Sequence, residues 1–151
     1  MTCEKNAVCG CPAARYLSSL FVWNAKLHNL HWNVVGRAFV QVHEYTEKVY
    51  DEVFEQYDAV AEAMKMRGKL PPVRVADFAA NSVIEELDSA ERPVPEVVAE
   101  VYADMQKMQK LAEEVRAAAD GRGDNLLAAQ FDEYLAWYAK QLWFLSAMLK
   151  Q

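Results

Sequence analysis

Five side chains that can bind a metal ion lie close together in this sequence: His31, His43, Glu47, Asp58 and Glu62. His43 and Glu47 are four residues apart, and so are Asp58 and Glu62, so in a helix each pair lies on one face. Carboxylates mixed with imidazoles suit iron, manganese or zinc better than the metals that prefer thiolate ligands. The residue types and their spacing therefore predict a site for one of these three metals.

The elements that must position these side chains are helices. The 151 residues include only five Gly and five Pro, and apolar residues recur with the 3.6-residue period of amphipathic helices. Four long helices are expected at about 12–34, 39–67, 95–120 and 125–150, from this period and from glycines that end helices. A connection over about 69–94 has prolines at both ends and a short helix at about 75–81. Two helices, a long crossover and two more helices predict an all-α, ferritin-like four-helix bundle.

The composition indicates one globular domain, because 53% of the residues are hydrophobic and 25% are charged. We place this domain at residues 12–151. All three cysteines, Cys3, Cys9 and Cys11, fall in residues 1–11, which we expect to form a flexible tail. Their spacing matches no common metal site, and in a reducing compartment they would be thiols.

The net charge of −6 disfavours binding to nucleic acids and other polyanions. No apolar stretch reaches the ~18 residues of a membrane span. The N-terminus lacks the basic and apolar regions of a signal peptide. We therefore expect a soluble cytoplasmic protein.

If the second helix is straight, four of the metal-binding side chains share one face of it. With 100° per residue and His43 at 0°, Glu47 lies at about 40°, Asp58 at about 60° and Glu62 at about 100°. The apolar residues of this helix cluster at about 260° instead. These residues are Val42, Val49, Val53, Val60 and Met64. The ligand face therefore points away from the bundle core, towards solvent or a partner.

The length of the helix prevents one chain from completing the site. His43 and Asp58 are 15 residues apart, which is about 22 Å at 1.5 Å per residue, whereas metal–ligand bonds are about 2.0–2.2 Å long. Two copies packed antiparallel about a two-fold axis would solve this problem. His31 and His43 of one chain, with Glu47 nearby, would then lie level with Asp58 and Glu62 of the other.

The role of the acidic helix face and the role of His28 both remain open at this point. The acids could simply form a solvated helix face, as i,i+4 acidic pairs often do, but all three histidines lie within sixteen residues, which favours a metal site. Tyr50 and Phe54, between the charged ends, would give a dimer interface an apolar centre. His28, one turn before His31, either supports the ligands from behind or is a structural histidine.

Three segments of the chain resemble the Dps family (DNA-binding proteins from starved cells, or miniferritins). They are KLHNLHWNV at 26–34 with Gly36, Phe39 and His43 after it, DAVAE at 58–62 with Gly68 and Pro71 after it, and QLWFL at 141–145. The resemblance implies a ferritin-like bundle that assembles into a hollow dodecamer. It implies that the protein oxidises Fe(II), with hydrogen peroxide preferred to oxygen, and stores the Fe(III) mineral inside. The chemistry of the ligands would also allow zinc or manganese in place of iron. The implied iron ligands, at a two-fold interface, are His31, His43, Asp58 and Glu62.

Some positions depart from the family or have weaker support. The family usually has Asp where this chain has Glu47, and the extra methylene puts direct ligation by this carboxylate in doubt. Trp32 stands where the family keeps a tryptophan beside the iron, although it could equally pack at an interface. Asp120 and Asp124, and less strongly Asp132, are candidates for an iron-entry pore at the start of the fourth helix, or serve as caps and surface charges.

Three other functions compete with a shared ferroxidase site. A nucleoid-associated protein would need basic tails, but residues 1–15 contain only Lys5 and Arg15 as basic residues, against Glu4. A di-iron site inside one bundle needs inward Glu-x-x-His pairs, which the sequence lacks. A purely structural helical oligomer would bind no metal and would tolerate replacement of both His31 and His43.

Overall fold

The computed structural model describes residues 11–150. They form five helices: α1 (Pro12–Asn33), α2 (Phe39–Met66), α3 (Val75–Asn81), α4 (Val94–Gly121) and α5 (Asn125–Leu149). Cys11 is half-buried and directly precedes α1. The expectation of a flexible tail falls almost wholly on residues 1–10, including Cys3 and Cys9, and so lies outside the described residues.

The helices pack as the predicted ferritin-like bundle. Helix α1 packs against α2 and α4, α4 packs against α5, and the short helix α3 of the crossover packs against α1. The bounds of all five helices agree with the sequence-based expectations to within one or two residues. In the described range, no helix combines the length and the apolar character that crossing a bilayer requires.

A two-residue parallel pairing, which the sequence did not predict, joins the two halves of the bundle. Strand β1 (Val34–Val35) follows α1, and strand β2 (Arg92–Pro93) precedes α4. Val34 pairs with Arg92 and Val35 with Pro93. The pairing fixes the end of the crossover beside the end of α1. Two residues are too few to show the alternating pattern of a strand.

The core follows the predicted apolar stripes. All five predicted core residues of α2 are at most 4% exposed, so the opposite face of this helix is the one left for solvent or a partner. The stripe of α4, from Val98 to Val115, is buried in the same way. Along α5, Leu127, Phe131, Tyr138 and Leu145 are buried, whereas Met148 in the last turn is 39% exposed.

The turn between α1 and α2 determines how the two histidine-bearing segments meet. Gly36 takes a φ of +108°, which an L side chain rarely adopts, and Ala38 before α2 takes a φ of +69°. The Phe39 amide donates to the Gly36 carbonyl, with an N–O distance of 3.2 Å. This tight reversal folds the start of α2 back along the end of α1.

Candidate metal centre

His31 and His43 form a stacked pair at this turn. Their ring centroids are 3.6 Å apart and their planes differ by 16°. The Nδ1 atom of His31 lies 2.7 Å from the carbonyl oxygen of His43, and Nδ1 of His43 lies 2.8 Å from that of His31. A carbonyl oxygen can only accept, so each Nδ1 carries a proton and donates. In the neutral ring, the lone pair is then on Nε2, the atom that remains for a metal.

The local structure explains why the His31 carbonyl is available. Helix α1 ends at Asn33, so the His31 carbonyl lies in the last turn, where helical acceptors lack an i+4 donor. The His43 ring supplies that donor. His31 is 7% exposed, and its burial lowers the pKa of the imidazole. Burial therefore favours the neutral ring, which is the form that binds metal ions.

Thr46 and Phe39 complete the surroundings of the pair. The Thr46 hydroxyl oxygen lies 3.2 Å from Nδ1 of His31 and 2.9 Å from the carbonyl oxygen of His43. Phe39 stacks on His43, with the two ring centroids 5.1 Å apart. Both histidine rings are thus fixed by contacts with neighbouring residues before any ion binds.

Tyr50 connects the pair to His28. Its ring meets the ring of His31 edge-on, at 5.2 Å and 87°, and stacks on His28 at 3.8 Å. Nδ1 of His28 donates to the Asn24 carbonyl, 2.7 Å away in the preceding turn. Tyr50 thus lies in contact with both His28 and His31 and links His28 to the pair. Trp32 is 68% exposed, with its ring centroid 5.6 Å from that of His28.

Glu47 is exposed one helical turn after His43. Burial is the main influence on the pKa of His31 and lowers it, while the negative charge of Glu47 partly opposes that shift. Glu47 therefore interacts with the histidine pair electrostatically, but no hydrogen bond to either ring defines a ligand geometry for it. Its direct ligation of a metal stays a prediction.

Asp58 and Glu62 form the second half of the candidate site. Both are exposed on α2, and their hydrogen bond, with their mutual repulsion, raises the pKa of Glu62. Two carboxylates this close share a proton or attract a cation. They line a groove of about 990 Å³ between α2 and the start of α5. Apolar side chains also line it, among them Phe54, Tyr57, Met66 and Leu126.

The two halves do not meet within one chain. In residues 11–150, no three His, Cys, Asp or Glu side chains are arranged to hold a metal ion. Helix α2 is continuous from Phe39 to Met66, so the separation between His43 and Asp58 is the helical one, about 22 Å. The structure thus brings His31 to His43 and Asp58 to Glu62, and keeps the pairs apart.

Comparison with known proteins places this architecture among ferritin-like proteins. The ferritin-like domain family matches residues 14–151. Antigen TyF1 of Treponema pallidum subsp. pertenue is 32% identical over 90% of this chain and 77% of its own length. The DNA protection during starvation protein of Brevibacillus brevis is 31% identical over 90% of this chain and 91% of its own. The crystal structure of a Dps protein from Bacillus brevis superposes with a TM-score of 0.88 at 29% identity, covering 92% of this chain and 93% of that one.

The chain belongs to the Dps family. The sequence-based recognition of the family and the predicted fold are therefore confirmed. The roles of individual residues in this Dps protein rest on its own geometry, described above.

The acids around the junction of α4 and α5 in this Dps protein are paired with arginines. Arg67 binds Asp124 through both carboxylate oxygens, with Nη2 2.6 Å from Oδ1, and Asp124 also accepts from the amide of Leu127 as the N-cap of α5. Arg116 lies 3.6 Å from Asp120 and 3.0 Å from Asp132. These contacts give Asp124 a structural role, and its predicted role in an iron-entry pore remains untested.

Sequence reasoning missed the residues that orient the histidines in this Dps protein. Thr46 lies three residues after His43, which could have placed its hydroxyl over the end of α1. Tyr50 follows one turn later, and its contacts with His28 and His31 were not expected. Its place at a dimer interface stays a prediction. Residue types and spacing do not predict the reciprocal hydrogen bonds between the rings and the carbonyls, because these bonds depend on the backbone path of the turn.

Proposed function

We propose that this Dps protein is a ferroxidase and iron store whose oxidation sites are shared between two chains. The observation that carries the proposal is the reciprocal bonding of His31 and His43. Both Nδ1 protons are held by backbone carbonyls, so both Nε2 atoms are free to donate to a metal. Ligating histidines characteristically have their second nitrogen held in this way.

The charge and position of Asp58 and Glu62 support a contribution from the second chain. These carboxylates repel each other in the isolated chain, and binding of Fe(II) would relieve that repulsion. The exposed Phe54 lies between the two halves of the candidate site on the same helix. An antiparallel dimer would bury this apolar surface and bring each histidine pair to the partner's carboxylates.

The stacking of the rings favours one ion for each histidine. The lone pair of each Nε2 lies in the plane of its ring, and two nearly parallel, stacked planes with centroids 3.6 Å apart cannot both contain one ion at bonding distance. Two neighbouring Fe(II) ions could each give one electron to hydrogen peroxide. With two protons, the peroxide then becomes two waters, the O–O bond breaks and no hydroxyl radical is released. The carboxylates favour Fe(III) over Fe(II) because they offset the higher charge.

Iron is the substrate and cargo of this activity, and the family suggests a hollow dodecamer as the store. The same ligands suit zinc or manganese, which would compete for the site. Entry of iron past Asp120 and Asp124 is part of the proposal. Since Arg67 engages Asp124, we expect Asp120 to be the more accessible of the two carboxylates.

The Brevibacillus brevis relative is named for DNA protection during starvation. Consumption of Fe(II) and peroxide would protect DNA without contact between protein and DNA. The net charge of −6 argues against direct coating of DNA by this chain. Direct DNA binding with little ferroxidase activity remains the alternative.

An anaerobic Fe(II) titration followed by peroxide tests the proposal. The purified protein, with its mass measured by light scattering, should bind Fe(II) saturably and consume one peroxide for every two Fe(II). The H31A/H43A variant should lose saturable binding, whereas E85Q/E86Q, which neutralises two exposed acids of the crossover, should keep it. A monomer without iron-dependent loss of peroxide, or an unaffected H31A/H43A variant, would contradict the proposal.

A further inference from the structure

Thr46 is a fully buried hydroxyl residue in contact with the histidine pair. Its exposed fraction is 0%, and its Oγ1 lies 3.0 Å from the carbonyl oxygen of Val42 and 2.9 Å from that of His43. The same oxygen lies 3.2 Å from Nδ1 of His31, on the neighbouring helix. The hydroxyl has one proton to give to a carbonyl, so its lone pairs are available to the Nδ1–H group of His31.

A helical threonine often bonds to the carbonyl four residues earlier, and that bond alone would satisfy the hydroxyl. Ser18 shows this ordinary arrangement, since it is also fully buried and donates to the Ala14 carbonyl at 2.8 Å. Thr46 differs from Ser18 because its oxygen also contacts the ring nitrogen whose proton sets the tautomer of His31.

We propose that Thr46 is a positioning residue for metal binding by His31. Together with the His43 carbonyl, it gives the Nδ1 proton two acceptors, which holds the ring in one orientation and keeps the lone pair on Nε2. This inference rests on the proposed function, because it assigns Thr46 to the same site. It concerns the metal-free protein as well, since the tautomer is set before an ion binds.

Three variants of the full chain separate positioning from general stability. T46V removes the hydroxyl at nearly constant shape, T46S restores it, and S18A removes a matched buried hydroxyl far from the histidines along α1. Calorimetry with Zn²⁺, a redox-silent probe, measures affinity. Solid-state ¹⁵N NMR of histidine-labelled protein, which contains only three histidines, reports the tautomer without metal.

We expect T46V to weaken Zn²⁺ affinity by about tenfold, the lower end for residues that orient metal ligands, and to broaden or shift the Nδ1–H signal of His31. T46S and S18A should both match the wild type in both measurements. Wild-type affinity and an unchanged ¹⁵N spectrum in T46V would overturn this inference but not the proposed function. Equal losses of Zn²⁺ affinity in T46V and S18A would do the same. If the wild-type protein binds no Zn²⁺ or Fe²⁺, the proposed function fails, and the inference fails with it.

Discussion

His31 and His43 each donate a proton from Nδ1 to the backbone carbonyl of the other, over 2.7 and 2.8 Å. The two bonds connect the last turn of α1 to the first turns of α2, so the same contacts that close the turn also orient the rings. The stability of the turn and the orientation of the rings for metal binding are thus coupled. A substitution at either histidine should affect both properties.

The bridge between Arg67 and Asp124 should stabilise the junction of α2 and α5. D124A removes both this ion pair and the N-cap, whereas D124N keeps a good capping side chain and loses only the charge. We expect D124A to lower the free energy of unfolding by about 1–2 kcal/mol, and D124N by less. Urea unfolding at one protein concentration measures both. D120A, which disrupts an exposed ion pair, is the control and should cost at most about 0.5 kcal/mol.

The same bridge predicts a dependence on pH. The hydrogen bond from Arg67 lowers the pKa of Asp124 to about 2, against an ordinary value of about 3.9. A carboxyl group whose pKa is lowered by folding stabilises the folded state fully above its ordinary pKa. This stabilisation is lost as the pH falls through the pKa of the group in the folded protein. The stability difference between wild type and D124N should therefore be constant above about pH 4 and shrink towards pH 2. A difference that stays constant throughout this range would argue against the charged bridge.

A buried ion pair between α1 and α4 should be strongly coupled. Lys26 Nζ lies 2.7 Å from Asp104 Oδ2, and their side chains are 2% and 1% exposed. Burial raises the pKa of Asp104, although the contact with Lys26 opposes that shift. Removing Lys26 leaves the buried Asp104 carboxylate without its counter-ion, so K26M should cost about 3–5 kcal/mol. D104L should cost less, because Glu100 Oε1 still lies 2.9 Å from Lys26 Nζ. In the double variant K26M/D104L we expect a much smaller loss than the sum, as measured by a double-mutant cycle in urea. Additive losses would show that the two charges do not interact.

The sequence was sufficient to predict the helices of this protein, because their apolar stripes are long and regular. The valines of α2 also indicated which face of that helix leaves the core, and Asp58 and Glu62 lie there as expected. The separation of the two half-sites followed from the rise per residue alone. These features depend on the periodicity of apolar residues, which is visible in the sequence itself.

The remaining features depend on contacts between distant parts of the chain. The pairing of Val34 with Arg92 joins segments 58 residues apart, and no local pattern indicates it. Asp124 was recognised as a cap, but its bridge to Arg67 requires the ends of α2 and α5 to be adjacent in space. The bonds from the histidine rings to the carbonyls depend on backbone positions that Gly36 and Ala38 set through positive φ angles.

Direct binding to DNA should be weak in this protein. The net charge of −6 repels the phosphate backbone, so a gel-shift assay at low salt should show no retardation of duplex DNA. Low salt is the condition that most favours binding, which makes a negative result informative. Tight retardation would instead support the nucleoid-associated alternative.

The central claim, that each oxidation site takes histidines from one chain and carboxylates from another, is tested by complementation. The H31A/H43A and D58N/E62Q variants should each lack peroxide-dependent Fe(II) oxidation, and separately folded samples mixed without subunit exchange should stay inactive. Chains co-assembled at equal ratio should recover about a quarter of the wild-type sites, since half of the histidine pairs and half of the carboxylate pairs are intact. Stopped-flow measurement of Fe(II) oxidation after co-expression decides the matter. Recovery of about a quarter of the wild-type amplitude is the predicted result, whereas no recovery, or wild-type activity in either variant alone, would contradict a shared site.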